Sequence, residues 1–203
     1  MNTSARSTAR LLVSALRALL VLTVVTGVIY PLVVTGIAQG AFSDKANGSK
    51  AEHEGRTVGS KLIGQSWNLE GTDKPDPHWF QPRPSNSAYD PLTTGSSQLG
   101  ASDPTLLKSV KEARQQVAAF NDVPVGDVPK DAVTGSGSAI DPHISPAYAE
   151  LQIDRVAKEN GLSEPQVEDL VNAHKEGRDL GFLGNERVNV LELNLALDEL
   201  ANR

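Results

Sequence analysis

The chain has 203 residues and a mass of 21.6 kDa, about the length of one domain with a short additional segment. It contains no cysteine, which excludes disulfide bonds, thiolate metal ligands and cysteine nucleophiles. The first forty residues hold three arginines and no acid, so the remaining residues carry 16 Lys and Arg against all 25 acids, a net charge of −9. This acidic balance argues against nucleic acid as a partner.

The first predicted element is a membrane-spanning helix over residues 18–38. These 21 residues carry no charge, and as a helix they span about 31 Å, close to the ~30 Å of a bilayer core. All three N-terminal arginines precede the span, so the positive-inside rule predicts a cytoplasmic segment over 1–17 and an extracytoplasmic chain from about Phe42 onward. A cleaved secretory signal, which would give a secreted binding module, stays open because Ala38 and Gly40 suit a signal peptidase.

Proline and glycine inside the span predict a contact with another helix, in a partner chain. Pro31 has no N–H and frees a backbone carbonyl that a neighbouring helix can satisfy. Gly36 and Gly40 lie one turn apart, and small residues allow a second helix to approach closely. These residues leave open the alternative of a lone anchor in the lipid bilayer.

Three kinds of structure are predicted after the span: a linker, a strand and a proline-rich segment without helix. Residues 39–56 show no periodicity and predict a linker. Thr57–Trp67 holds a short apolar core and predicts a strand flanked by turns. Residues 71–104 are rich in proline, which removes backbone donors and excludes a helix there.

The densest proline cluster, residues 77–85, contains two of the chain's few aromatic residues, Trp79 and Phe80. One interpretation is that both rings seal a small core. The other is a docking loop for a partner, in which Trp79, Phe80 and a free Arg83 form the contact and Arg83 pairs with a partner's carboxylate.

Four helices are predicted in the remaining chain. Asp103 followed by Pro104 is typical of a helix start, and Ser145 followed by Pro146 repeats it for a helix that ends at Asn160-Gly161. A Ser163–Gln166 capping box begins the third helix, and Asn189 caps the fourth. With the strand, these helices predict an α/β domain of the mixed α+β kind over residues 57–203, anchored by the one transmembrane helix.

The residues with catalytic potential do not form a recognisable active site. Asp141, His143 and Ser145 contain the side chains of a hydrolase triad, which would make the chain a stand-alone membrane-anchored hydrolase. Five adjacent residues at a helix start cannot easily converge, so the pattern favours a structural turn and cap, and no catalytic residue is assigned. The four histidines lack metal-ligand spacing, so no metal site is predicted.

A Ser/Gly-rich turn over Leu92–Gln98 is the one candidate anion site, because its backbone N–H groups can surround an anion. Its candidate binding residues are Gly95, Ser96, Ser97 and Gln98. An ordinary loop is the alternative.

Seven motifs in order along residues 20–200 carry a family resemblance: Tyr30-Pro31, residues 58–65, Phe80 with Arg83-Pro84-Ser85, residues 137–146, Gln152, Arg155-Val156-Ala157, and residues 188–197. Together they resemble the C chain of the bacterial potassium-transporting P-type ATPase, the Kdp system. The resemblance implies a single-pass inner-membrane subunit that assembles with a channel-like potassium-translocating chain, an ATP-hydrolysing P-type chain and a very small chain.

The resemblance also implies the function of the subunit. It implies a non-catalytic accessory and assembly role in high-affinity potassium uptake, with K⁺ as the transported ion and no cofactor of the subunit's own. The family is described as raising the ATP affinity of the catalytic chain, and nucleotide binding would fall on Gly95–Gln98. The predicted topology conflicts with direct binding, because cytoplasmic ATP does not reach an extracytoplasmic domain.

Overall fold

The computed structural model describes residues 3–202 and divides into two units, one up to Ser49 and one from Lys50 onward. The first unit is helical and comprises α1 (Thr3–Val24), a π turn (Val25–Ile29), α2 (Tyr30–Ala41) and the short α3 (Ser43–Ala46). Its stretch Arg6–Ala41 is long and apolar enough to cross a membrane, and its most apolar part is wholly exposed. This stretch contains the span predicted over residues 18–38 and is a candidate membrane anchor.

The π turn interrupts the long helix directly before Pro31. The N–H of Tyr30 donates to the carbonyl of Val25, five residues back rather than four. Pro31 follows as an early residue of α2, where its missing N–H is tolerated best. The helix therefore adapts to proline by widening for one turn and then continues.

The second unit opens with a hairpin of β1 (Lys50–His53) and β2 (Arg56–Ser60). The strand predicted from Thr57 is present as part of β2. Residues 39–56, predicted as a linker, contain the end of α2, the short α3 and strand β1. Glu54 and Gly55 both have positive φ and form the hairpin turn. His53 Nε2 lies 2.8 Å from Asp198 Oδ2 and joins the hairpin to the C-terminal part of the unit.

Five helices and three short strands make up the remainder: α4 (Pro104–Asn121), β3 (His143–Ile144), α5 (Pro146–Leu151), α6 (Ile153–Asn160), α7 (Glu164–Ala173), β4 (Lys175–Glu176), β5 (Arg187–Asn189) and α8 (Val190–Ala201). The strands pair antiparallel in the order β3–β5–β4. A 3₁₀ turn covers Val125–Asp127. Mixed helix and sheet is the predicted fold class, and residues 71–103 form no helix.

The predicted caps are confirmed. Asp103 accepts from the N–H of Thr105, Ser145 from that of Tyr148, and Asn189 from those of Leu191 and Glu192, while Ser163 begins α7 with a capping box. The second predicted helix differs, because it breaks at Gln152 into α5 and α6.

The core of the second unit lies between the C-terminal helices and the proline-rich segment. Its fully buried members are mainly aliphatic and come from every helix after α4 and from strand β5, together with one aromatic ring from the 77–85 loop. They include Phe80, Val156, Val167, Val171, Val188, Leu193 and Leu197.

Candidate partner-binding site

The 77–85 loop is fixed to the core by backbone hydrogen bonds to buried amide side chains. The N–H of Phe80 donates to Asn194 Oδ1 at 2.9 Å, and the carbonyl of Phe80 accepts from Asn194 Nδ2 at 3.0 Å. The next residue repeats the arrangement, because the N–H of Gln81 donates to Gln152 Oε1 at 2.7 Å and its carbonyl accepts from Gln152 Nε2 at 3.1 Å. Each side-chain amide thus satisfies one backbone N–H and one backbone carbonyl of the loop, as a neighbouring β-strand would.

Arg155 also binds this loop through backbone carbonyls. Its Nη1 donates to the carbonyls of Pro77 and Trp79, its Nη2 to Gln152 Oε1 at 2.8 Å, and its Nε to Asn121 Oδ1 at 2.9 Å. Its guanidinium also lies 4.5 Å from the centre of the Phe120 ring. Burial lowers the pKa of Arg155 to about 10, so the side chain remains charged at neutral pH. The family resemblance includes Arg155, but no local pattern assigns it these acceptors.

These contacts correct the predicted docking residues in the 77–85 loop. Phe80 is completely buried, so its ring belongs to the core and cannot contact a partner. Arg83 is not free, because Nη1 lies 3.2 Å from Asp141 Oδ2 and Nε and Nη2 donate to the carbonyls of Thr134 and Gly135. Trp79 is half-buried, with its ring centre 5.2 Å from that of Trp67, so part of its side chain remains accessible.

The Asp141–His143–Ser145 segment forms a turn and a cap rather than a triad. Asp141 Oδ1 accepts from the N–H of His143 at 3.0 Å and lies 3.2 Å from His143 Nδ1. Ser145 Oγ donates instead to Asp131 Oδ1 at 2.9 Å and accepts from the N–H of Tyr148 at 3.1 Å. Because the serine is directed to a different carboxylate, this geometry gives the hydrolase alternative no support.

Asp141 lies between Arg83 and His143, which sets its charge. Burial alone would raise the pKa of Asp141, but the hydrogen bonds from His143 and the charges of His143 and Arg83 outweigh burial and bring it below its usual value. The carboxylate therefore stabilises the folded state above the unfolded-state pKa, and this contribution is lost as the pH falls through the lower folded-state pKa.

We expect Asp141→Asn to lower the free energy of unfolding of the full chain in detergent by about 1–2 kcal/mol at pH 7, because a charged acceptor is lost. The difference from the wild type should shrink as the pH falls below about 4, because the carboxylate is protonated first in the unfolded state and, at lower pH, in the folded state as well. Urea denaturation at pH 7 and pH 3 measures both values. Asp169→Asn, on an exposed position of α7, is the control and should change little. A difference that does not vary with pH would contradict this role of the charge.

The predicted anion-binding residues lie in a surface loop. Ser96, Ser97 and Gln98 are exposed. The N–H of Gly95 donates to the carbonyl of Ser138 at 3.0 Å, and that of Gln98 to Ser96 Oγ at 3.2 Å, so two of the four backbone donors already have acceptors within the chain. Nucleotide binding at Gly95–Gln98 stays a prediction. Among residues 3–202, no group of three His, Asp or Glu side chains could hold a metal ion.

The feature that the sequence reasoning missed is an exposed apolar turn, residues 179–183, which we call the 179–183 hairpin. Asp179 and Leu183 exchange two backbone hydrogen bonds of 2.9 Å, and Arg187 pairs with Asp179. Leu180 is 84% exposed and Phe182 69% exposed on this braced turn. The signal in the sequence is three large apolar residues placed between glycines in a charged stretch.

The chain combines a candidate membrane-anchoring helix with a mixed helix-and-sheet domain, in which Asp141, His143 and Ser145 form structural hydrogen bonds. The family model described as "K+-transporting ATPase, c chain" matches residues 12–199, so the chain belongs to this family. A potassium-transporting ATPase KdpC subunit of Streptomyces coelicolor is 53% identical over 98% of this chain and 97% of its own length.

Other potassium-transporting ATPase KdpC subunits are similarly close in sequence to this chain. The protein of Methylococcus capsulatus is 47% identical over 92% of this chain and 96% of its own. That of Mycobacterium tuberculosis is 46% identical over 94% of this chain and 99% of its own. The resemblance stated from the sequence motifs is thereby confirmed.

Proposed function

We propose that the chain is a non-catalytic accessory subunit that stabilises an ATP-driven, high-affinity potassium uptake complex and promotes ATP use by its P-type catalytic chain. Its partners are the channel-like potassium-translocating chain, the ATP-hydrolysing chain and the small chain. K⁺ is the transported ion, and ATP acts through the catalytic chain. The subunit lies in the cell inner membrane with its N-terminus in the cytoplasm and the domain outside.

One observation carries this proposal: the polar side chains that could be catalytic are hydrogen-bonded within the fold, whereas large apolar side chains are exposed to solvent. Asp141, His143 and Ser145 all take part in bonds that shape the fold. Leu180 and Phe182 instead lie open to solvent on a braced turn. An exposed cluster of large apolar side chains is typical of a surface that a partner covers.

Two contact regions follow. Pro31, Gly36 and Gly40 bring the membrane helix against the translocating chain, and a Cβ atom added at Gly36 or Gly40 would meet nothing within 4 Å inside this chain. The 179–183 hairpin, with Trp79, contacts the outer face of that chain. The net charge of −9 beyond residue 40 enriches K⁺ near the domain modestly, because salt screens it within about 8–10 Å.

The test is purification of the native complex through a tag on this chain, with Leu180→Asp compared to wild type. Asp tolerates the positive φ of Leu180, so the change adds charge to the contact without straining the turn. We expect roughly tenfold less of the other subunits and of potassium-stimulated ATPase activity to co-purify.

The matched control for this experiment is Leu92→Asp, because Leu92 is 91% exposed on a different loop. It should leave co-purification unchanged. If wild-type chain brings down no ATPase, the accessory role is wrong. If both variants behave as wild type, only the contact assigned to the 179–183 hairpin is wrong.

A further inference from the structure

The π turn takes the usual donor away from one more backbone carbonyl of the membrane helix. In an uninterrupted α-helix, the missing N–H of Pro31 would leave the carbonyl of Gly27 without a donor. Here the N–H of Tyr30 is used by Val25. The carbonyl of Thr26 could receive a bond from Tyr30 in the α register or from Pro31 in the π register. The first donor is already engaged and the second does not exist.

The surroundings of Thr26 do not compensate for this gap. Its hydroxyl donates to the carbonyl of Leu22 at 2.7 Å, so it serves the preceding turn. Gly27 next to it has no side chain, and a Cβ there would meet nothing within 4 Å, so the helix surface is open to an approaching atom. Thr26 also lies near the middle of the uncharged residues 18–38, where lipid tails offer no donor.

We propose that the carbonyl of Thr26 accepts a hydrogen bond from a donor side chain, such as Ser, Thr, Asn, Gln or Trp, on a transmembrane helix of another subunit. This rests on the proposed function, which places the chain in a complex with other membrane chains. The partner must carry a donor because the open group is an acceptor, and a second acceptor would be repelled. Such a bond fixes the axial position of the helix, which apolar packing alone leaves free to slide.

The first experiment identifies the neighbour in the assembled complex. A photoreactive benzoylphenylalanine replaces Tyr30, whose exposed side chain leans toward the preceding turn, on the side of the helix that carries the Thr26 carbonyl. The same probe at Leu32, two residues on and about 200° around the helix, is the control. We expect the probe at position 30 to cross-link to another subunit beside a donor side chain, and at least tenfold less strongly from position 32.

The second experiment restores the missing donor. Pro31→Ala supplies an N–H that can satisfy the carbonyl from within the helix, so the partner's donor loses its acceptor. We expect membrane insertion to be unchanged and the yield of complex to fall about three- to tenfold. Thr23→Val, which removes a hydroxyl from the same helix without touching Thr26 or Pro31, is the control and should assemble as wild type.

Cross-links from position 30 only to lipid, or only to a second copy of this chain, would overturn the proposal while the wild-type complex still purifies intact. Normal assembly of Pro31→Ala would do the same. Failure of the wild-type chain to bring down any ATPase subunit would instead reject the proposed function.

Discussion

Arg155→Ala is expected to lower the free energy of unfolding by about 3 kcal/mol, a large fraction of a domain's stability. The substitution removes the donor of the Pro77 carbonyl and of Asn121 Oδ1. It also removes one of the two donors of the Trp79 carbonyl and of Gln152 Oε1, which keep their bonds from Gln81. It also opens space beside Phe120. Chemical denaturation of the full chain in detergent measures the change.

Two further variants make this measurement specific. Arg155→Lys keeps the charge but cannot reach acceptors on several sides at once, so it should recover only part of the loss. Arg178→Ala, an exposed arginine in the 175–187 region, should change stability by less than about 0.5 kcal/mol. Equal stability of Arg155→Ala and Arg178→Ala would show that the buried network contributes nothing.

An all-or-none result is expected for the topology. A reporter enzyme that folds only outside the cytoplasm should be active when fused after Arg203. The reason is the charge bias across the candidate span, since Arg6, Arg10 and Arg17 all precede it and no acid occurs before Asp44. The same reporter fused after Arg17, with the span removed, is the control and should be inactive. Activity only in the second fusion would invert the topology and would reopen direct access of cytoplasmic ATP to the domain.

Helix starts could be predicted from the sequence because each depends on a few adjacent residues. Asp103, Ser145 and Asn189 each accept from an N–H two or three residues ahead, and such a cap needs no tertiary contact. The uncharged span is equally local. The β1–β2 hairpin was missed because its turn is formed by Glu54 and Gly55, a pair less typical of such turns than Asn-Gly, between strands with few apolar residues.

The role of the 77–85 loop could not be decided from the sequence, because it depends on contacts between residues far apart in the chain. Arg155 and Asn121 are 34 positions apart, and Arg83 and Asp141 are 58 apart. A pattern read along the chain detects proline, aromatic and charged residues in this loop but not which of them faces inward. Burial of Phe80 depends on helices that follow much later, and engagement of Arg83 depends on the loop residues Thr134, Gly135 and Asp141.

The pairing of Phe80 with Asn194 also determines the order in which the domain can be completed. The two residues are 114 positions apart, and the chain is synthesised from its N-terminus. Until α8 has been made, the backbone groups of Phe80 lack their partner and the core lacks Leu193 and Leu197. A nascent chain that stops before α8 therefore lacks both contacts, and we expect its domain to remain incompletely packed.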